Sequence, residues 1–189
     1  MLPKPDRSCR RTDRLHGLSL VEVMIASVVM AVALLGLSRS MISSVRVTAS
    51  NRETSVALEA AQQAIEHLQA KTFSEIFSLY NADSEDDPDG EIGDGPTFAV
   101  EGLTAPDDDA DGVPGEIIFP VASNGSGELR ENAVNFALGM PRDLDADGKI
   151  DTANHSDDYA LLPVLVRVAW RTATGASRSI EVMTVLSER

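Results

Sequence analysis

Glu22 is the one charged side chain between Leu18 and Leu37, a run of twenty residues that also lacks proline. At ~1.5 Å of rise per residue, a helix over that run is roughly 30 Å long, the thickness of one bilayer hydrocarbon core. A carboxylate inside such a segment costs about 2.5–3.5 kcal/mol at the centre and less near an end. Glu22 stands near the amino end, so the cost is reduced and not removed. An acid so placed marks a functional contact by default, and a partner for it must be sought.

A second group of acids lies far along the chain. Asp143, Asp145, Asp147 and Gly148 fit D-x-D-x-D-G, the first half of a calcium loop. Calcium takes six to eight oxygens, and alternate side chains converge when a glycine at the sixth position allows a sharp turn. Lys149 would give its carbonyl at the seventh position and Asp151 would act at the ninth. The twelfth is Asn154, so the usual bidentate Glu is missing, with Asp157 or Asp158 as substitutes. No helix–loop–helix frame is evident, so this is an isolated loop. Asp107, Asp109, Asp111 and Gly112 repeat the first half with a tighter continuation, and the segment from Glu85 to Gly90 is a poorer third copy broken by Pro88. The competing reading is a solvated acidic loop whose carboxylates repel one another and stay mobile.

The residues before the apolar run, from Leu15 through Gly17 and Leu18 to Glu22, resemble the processing site of type IV prepilins and type II secretion pseudopilins. In that family a short basic leader ends in Gly, a membrane peptidase cuts after it and methylates the new terminus, and the fifth residue of the mature chain is Glu. The resemblance puts the cut between Gly17 and Leu18, N-methylation on Leu18, and an assembly role on Glu22. Leu18 departs from the commoner Phe, and Ser19 stands close to the usual Thr. The resemblance implies as partners the prepilin peptidase/methyltransferase, other pilins or pseudopilins, and an inner-membrane assembly platform. A secretory signal peptide would be cut after the run, near Gly36 and Ser38, which leaves Glu22 without a role.

Charge is distributed unevenly. The net charge is −14 over 189 residues. Residues 1–17 hold five basic and two acidic side chains; their removal leaves 11 basic and 28 acidic ones, a net of −17. Basic residues before the first apolar helix favour a cytoplasmic amino end, with the rest extracytoplasmic. Of the 28 acids, 21 lie between Asn81 and Asp158, against Arg130, Arg142 and Lys149. Phosphate binding needs Lys and Arg, so that region disfavours nucleic acid. The single cysteine, Cys9, is in the leader, so the mature chain would form no disulfide.

The elements that must position these groups can be read in order. No proline occurs between Pro5 and Pro88, and Leu58, Ala61, Ile65 and Leu68 keep a helical rhythm. One helix is expected from Leu18 to about Lys71, its apolar half over 18–37 and its amphipathic half over 38–72. Phe73, Ile76, Phe77 and Tyr80 predict a short second helix on the core. Residues 81–158 carry ten of the thirteen glycines and six of the nine prolines, and read mostly as loop, with acidic stretches at 81–96, 105–116 and 141–158. Short strands are expected at Thr97–Glu101 and Glu116–Val121. Val164, Val166, Val168 and Trp170 alternate with Leu165, Arg167, Ala169 and Arg171 as in a half-buried strand, and with the run Ser179–Leu186 they predict a C-terminal hairpin over 163–187.

The fold class is therefore α+β, a long amino-terminal helix on a small antiparallel sheet in a soluble domain over 73–189; the pilin-like topology comes from the resemblance. Of the histidines, His16 leaves with the leader, His67 sits on the helix and His155 in the acidic loop. No Ser/His/Asp arrangement, phosphate loop or zinc spacing appears, and no enzymatic activity is expected. The reading is a minor pilin, with Leu34–Leu37 and Ala60–Glu66 most similar to PilV-type subunits. A minor pseudopilin of a type II secretion system shares every hard feature. A signal-anchored calcium-binding module is the alternative of another class. Calcium is the one cofactor in view.

Overall fold

The computed structural model describes residues 19–83, 85–88, 94–122 and 127–188. Gly17 and Leu18 lie outside them, as does part of the third acidic copy. The chain divides into two compact units, residues 1–47 and 48–189.

Helix α1 spans Leu20–Gln69, with Glu22 in its first turn. Its span agrees with the expected helix, Leu18 to about Lys71, to within two residues at each end. Within the first unit its apolar side chains, among them Val21, Ile25, Val28 and Leu35, are exposed. This helix is long and apolar enough to cross a membrane. Ser27 and Ser38 donate their hydroxyls to the carbonyls of Val23 and Leu34, which satisfies them inside a greasy segment. Gly36 does not interrupt it.

In the second unit the last turns of α1 bury Ala57, Ala61 and Leu68 completely. The buried stripe is one residue out of phase with expectation at its start: Leu58 is exposed and Ala57 takes its place. Phe73–Glu75 forms a 3-10 turn that leads into α2 (Ile76–Tyr80), and Ile76, Phe77, Leu79 and Tyr80 are buried.

Four strands follow: β1 (Thr97–Phe98), β2 (Gly115–Ile118), β3 (Leu161–Arg171) and β4 (Ser177–Ser187). They form one antiparallel sheet in the order β1-β2-β3-β4. The hairpin turn at Gly175 has φ +84°, a conformation that suits glycine. β3 was expected to be half-buried, yet Pro163, Val164, Leu165 and Val166 are all buried. The reason is a second cover. Trp170 Nε1 donates to Glu53 Oε2 of α1 (3.2 Å), which fixes the helix side of the sheet. On the other side the long acidic segment folds back, and the 3-10 turn Phe136–Leu138 inserts Leu138, fully buried. Leu129, Met140 and Leu144 join the same core. The Asp143 loop thus hangs from a layer packed against the sheet.

Candidate functional site

Two residues of the acidic segment are buried against expectation, Glu131 at 1% exposure and His155 at 4%. The chain reaches Glu131 through an isolated bridge between Val121 and Leu129. His155 is drawn in by its own backbone, since its N–H donates to the Leu129 carbonyl (2.9 Å). Arg142 N–H donates to the Glu131 carbonyl (3.1 Å), which brings the Asp143 loop alongside. Leu144, fully buried, accepts at its carbonyl from Ala160 N (2.7 Å) and Leu161 N (2.8 Å), so the start of β3 holds the loop at one point.

The Glu131 carboxylate then organises the loop from inside. Oε1 accepts from Leu144 N (2.5 Å) and Asp145 N (3.4 Å), and Oε2 from Asp151 N (2.9 Å). A buried carboxylate is costly unless its lone pairs are filled, and here backbone donors fill them. His155 lies beside it, Nε2 3.9 Å from Glu131 Oε2 and 3.2 Å from Asp151 Oδ1. The other ring nitrogen, Nδ1, is 3.1 Å from Asp158 Oδ1 and 3.9 Å from Asp145 Oδ2. Burial pulls the imidazole pKa down, but the hydrogen bonds to Asp151 and Asp158 and the charges of Asp158 and Glu131 outweigh it, so the pKa stands above its ordinary value. A ring with a carboxylate at each nitrogen is suited to the doubly protonated form.

The five residues of the expected calcium loop are not equivalent. Asp143 Oδ1 accepts from Ala146 N (2.7 Å) and Oδ2 from Gly148 N (2.8 Å), with Gly148 at φ +86°. Asp145 Oδ1 accepts from Asp147 N (2.9 Å), and Asp147 Oδ1 from Lys149 N (2.7 Å). The Lys149 ammonium lies 3.7 Å from Asp147. Ligand-type atoms within 4.8 Å of one another group Glu131 with Asp143 and Asp145, and Glu131 again with Asp151 and His155. Asp151 thus turns towards His155, and the hydrogen bond from Ala153 N, followed by His155, holds its pKa below the usual value. Glu131 was absent from the sequence expectation, although it is the acid that groups with Asp143 and Asp145. Nothing in the linear spacing marks it.

The Asp107 loop is arranged differently. Asp107 Oδ1 pairs with the Arg171 guanidinium at the end of β3. Asp109 Oδ1 accepts from Asp111 N (3.3 Å), and Asp111 Oδ1 from Val113 N (2.9 Å). The Val113 bond is the main cause that holds the Asp111 carboxyl below its usual value. Among the described residues, none of the three belongs to a metal-sized group. In the first unit Glu22 is exposed on α1. His67 is exposed and packs edge-on against Tyr80, centroids 6.2 Å apart.

Comparison of the chain with family models, with curated proteins and with solved structures gives no match.

Proposed function

We propose that this chain is a minor subunit of a type IV pilus-like filament, inserted in the inner membrane through α1 with its second unit extracytoplasmic. The observation that carries the reading is the placement of Glu22, an acid in the first turn of a long apolar helix, five residues after Gly17. Cleavage after Gly17 would leave an amine at Leu18, and Glu22 of a neighbouring helix would pair with it as subunits assemble. A long helix followed by a small antiparallel sheet supports the same reading, and so does the membrane-crossing length of that helix. The peptidase, the other pilins and the assembly platform are the partners this requires. A minor pseudopilin of a secretion system would need the same processing and the same contact.

Mass spectrometry of the amino terminus in host membranes tests it. N-methyl-Leu18 is expected, and an intact Met1 overturns the proposal. Gly17→Ala should block processing. Glu22→Ala should leave cleavage intact and impair assembly.

For the Asp143 loop we propose calcium as the ligand class. What supports it is the convergence of Glu131, Asp143 and Asp145, three carboxylates on one small volume.

A further inference from the structure

Beyond Leu37 helix α1 turns basic. Arg39, Arg46 and Arg52 are the charged residues between Leu37 and Glu53, with no acid among them. All three are exposed, and Arg39 and Arg46 belong to the first unit. Basic residues at this end oppose the orientation that the basic leader favours. They carry a cost that a role must offset.

Helical geometry sorts the three. Arg39, Ser43 and Arg46 stand at i, i+4 and i+7 and fall on one face of α1. The two arginines are roughly 10 Å apart along the axis. Arg52 lies on another face, about 20 Å beyond Arg39. Among the described residues, Arg39, Ser43 and Arg46 make no hydrogen bond or ion pair within the chain. For a hydroxyl of this helix that is unusual: Ser27, Ser38, Thr54 and Ser55 each donate to the carbonyl four residues earlier. Two guanidinium groups and a hydroxyl thus present free donors on one stripe, with no acid to meet them.

Depth decides what those donors meet. With residues 18–37 across the hydrocarbon, Arg39 stands about 3 Å past its edge, inside a headgroup layer about 5–8 Å deep. Arg46 starts beyond that layer. Its side chain leans towards the amino end of the helix, here towards the membrane, and its stem can bring the charge down to the interface. We infer that Arg39, Ser43 and Arg46 hold the phosphate of an anionic lipid headgroup in the leaflet at the carboxyl end of the apolar run. The inference rests on α1 spanning a membrane. Guanidinium suits phosphate through paired N–H donors, and the hydroxyl between the two arginines adds a third group. A zwitterionic headgroup carries a cation of its own, so lipids of net negative charge are preferred. Acidic loops of a neighbouring subunit would also attract Arg39 and Arg46, but they would be drawn as strongly to Arg52, which is as exposed and stands clear of the lipid.

The test is lipid selectivity of the full chain in vesicles. Phosphatidylglycerol is placed only in the leaflet that faces the second unit, so that the leader's basic residues, on the other side, do not contribute. Electron spin resonance of spin-labelled lipids compares the first shell around the helix for phosphatidylglycerol and phosphatidylcholine. Phosphatidylglycerol should be preferred. Arg39→Gln and Arg46→Gln should each lower the preference by up to about fivefold, the equivalent of ~1 kcal/mol per arginine at an anionic surface, and the double variant should abolish it. Ser43→Ala should lower it about twofold. Arg52→Gln should leave it unchanged, and so should millimolar inorganic phosphate in the buffer. An inserted chain without preference, an equal effect of Arg52→Gln, or loss of the preference to free phosphate overturns the inference and leaves the membrane anchor standing. A chain that alkaline carbonate washes off the vesicles overturns both.

Discussion

His155 Nε2 lies 3.9 Å from Glu131 Oε2, and both side chains are shut away from water beneath a loop whose other acids are largely exposed. The Glu131 carboxyl and the His155 imidazole occupy the inside of the Asp143 loop. The loop is therefore shaped by its own backbone donors on Glu131, with the imidazole beside it. This relationship organises the expectations below.

Glu131→Gln should destabilise the second unit by ~2–4 kcal/mol. The amide keeps one acceptor oxygen but aims an N–H₂ at backbone donors, either Asp151 N or the pair Leu144 N and Asp145 N. Hydrogen bonds to a charged acceptor contribute about 1.5–3 kcal/mol each, and a buried donor left unpaired costs a similar amount. A fall in melting temperature of roughly 5–15 °C is expected. Lys149→Met is the comparison: its pair with Asp147 is 3.7 Å long, the lysine side chain is 80% exposed, and the melting temperature should hardly move. Equal effects from the two changes would show that Glu131 does not hold the loop.

Stability should fall as pH rises above the ordinary histidine range. The folded pKa of His155 is raised above 6.5, so its contribution is complete below about pH 6.5 and is lost as pH climbs through the folded value. Asp151, depressed in the fold, acts at the other end: its contribution is present above its ordinary value of 3.8 and is lost as pH falls through the lower folded one. The groups facing the ring are Glu131, Asp145, Asp151 and Asp158. Urea midpoints measured in chelator at pH 5.5, 7 and 8.5 should decline in that order, and His155→Gln should flatten the decline. An unchanged slope in that variant would assign the pH dependence elsewhere.

Calcium should raise the melting temperature of the full chain in detergent, and Asp145→Ala should abolish the rise. Glu131 and Asp143 stay in place in that variant, but the middle carboxylate of the converging three is gone. A ligand present at a hundred times its dissociation constant stabilises by about 2.7 kcal/mol, which is readily measured. Titration calorimetry without calcium heat at millimolar concentration would leave the loop as one closed by Glu131 and His155 without an ion.

How far the sequence reaches is uneven, for physical reasons. The hairpin is legible because alternation of Val164, Val166 and Val168 with other side chains is a local signal. The burial of Leu165 is not, because what covers it, Leu138 and its turn, lies more than twenty residues away in sequence. Likewise the helix rhythm is legible, but its phase at Ala57, buried, and Leu58, exposed, depends on what the rest of the chain packs against it. The Asp143 loop announces itself by spacing. Glu131 does not, since a lone acid between Arg130 and Asn132 reads as solvated until the chain folds back over it. The processing site at Gly17 and Leu18 is legible in sequence and lies outside the described residues.

Tyr159→Phe should cost about 2 kcal/mol although it removes a single oxygen. The phenol donates to the Phe73 carbonyl (2.6 Å) and accepts from Phe77 N (3.3 Å), so it joins the turn after α1 to the loop that precedes β3. Its ring also meets Phe73 edge-on, centroids 5.0 Å apart, and that contact survives in the variant. What is lost is the partner of a buried N–H and of a carbonyl, each worth about 1–3 kcal/mol when orphaned. Burial, set against the bond from Phe77, pushes the phenol pKa up to about 12. Ultraviolet titration should therefore show one of the two tyrosines ionising well above pH 10, with loss of the fold accompanying it, and the variant should lack that step. A Tyr159→Phe chain that melts within a degree of the parent would mean that water serves Phe73 and Phe77 equally well.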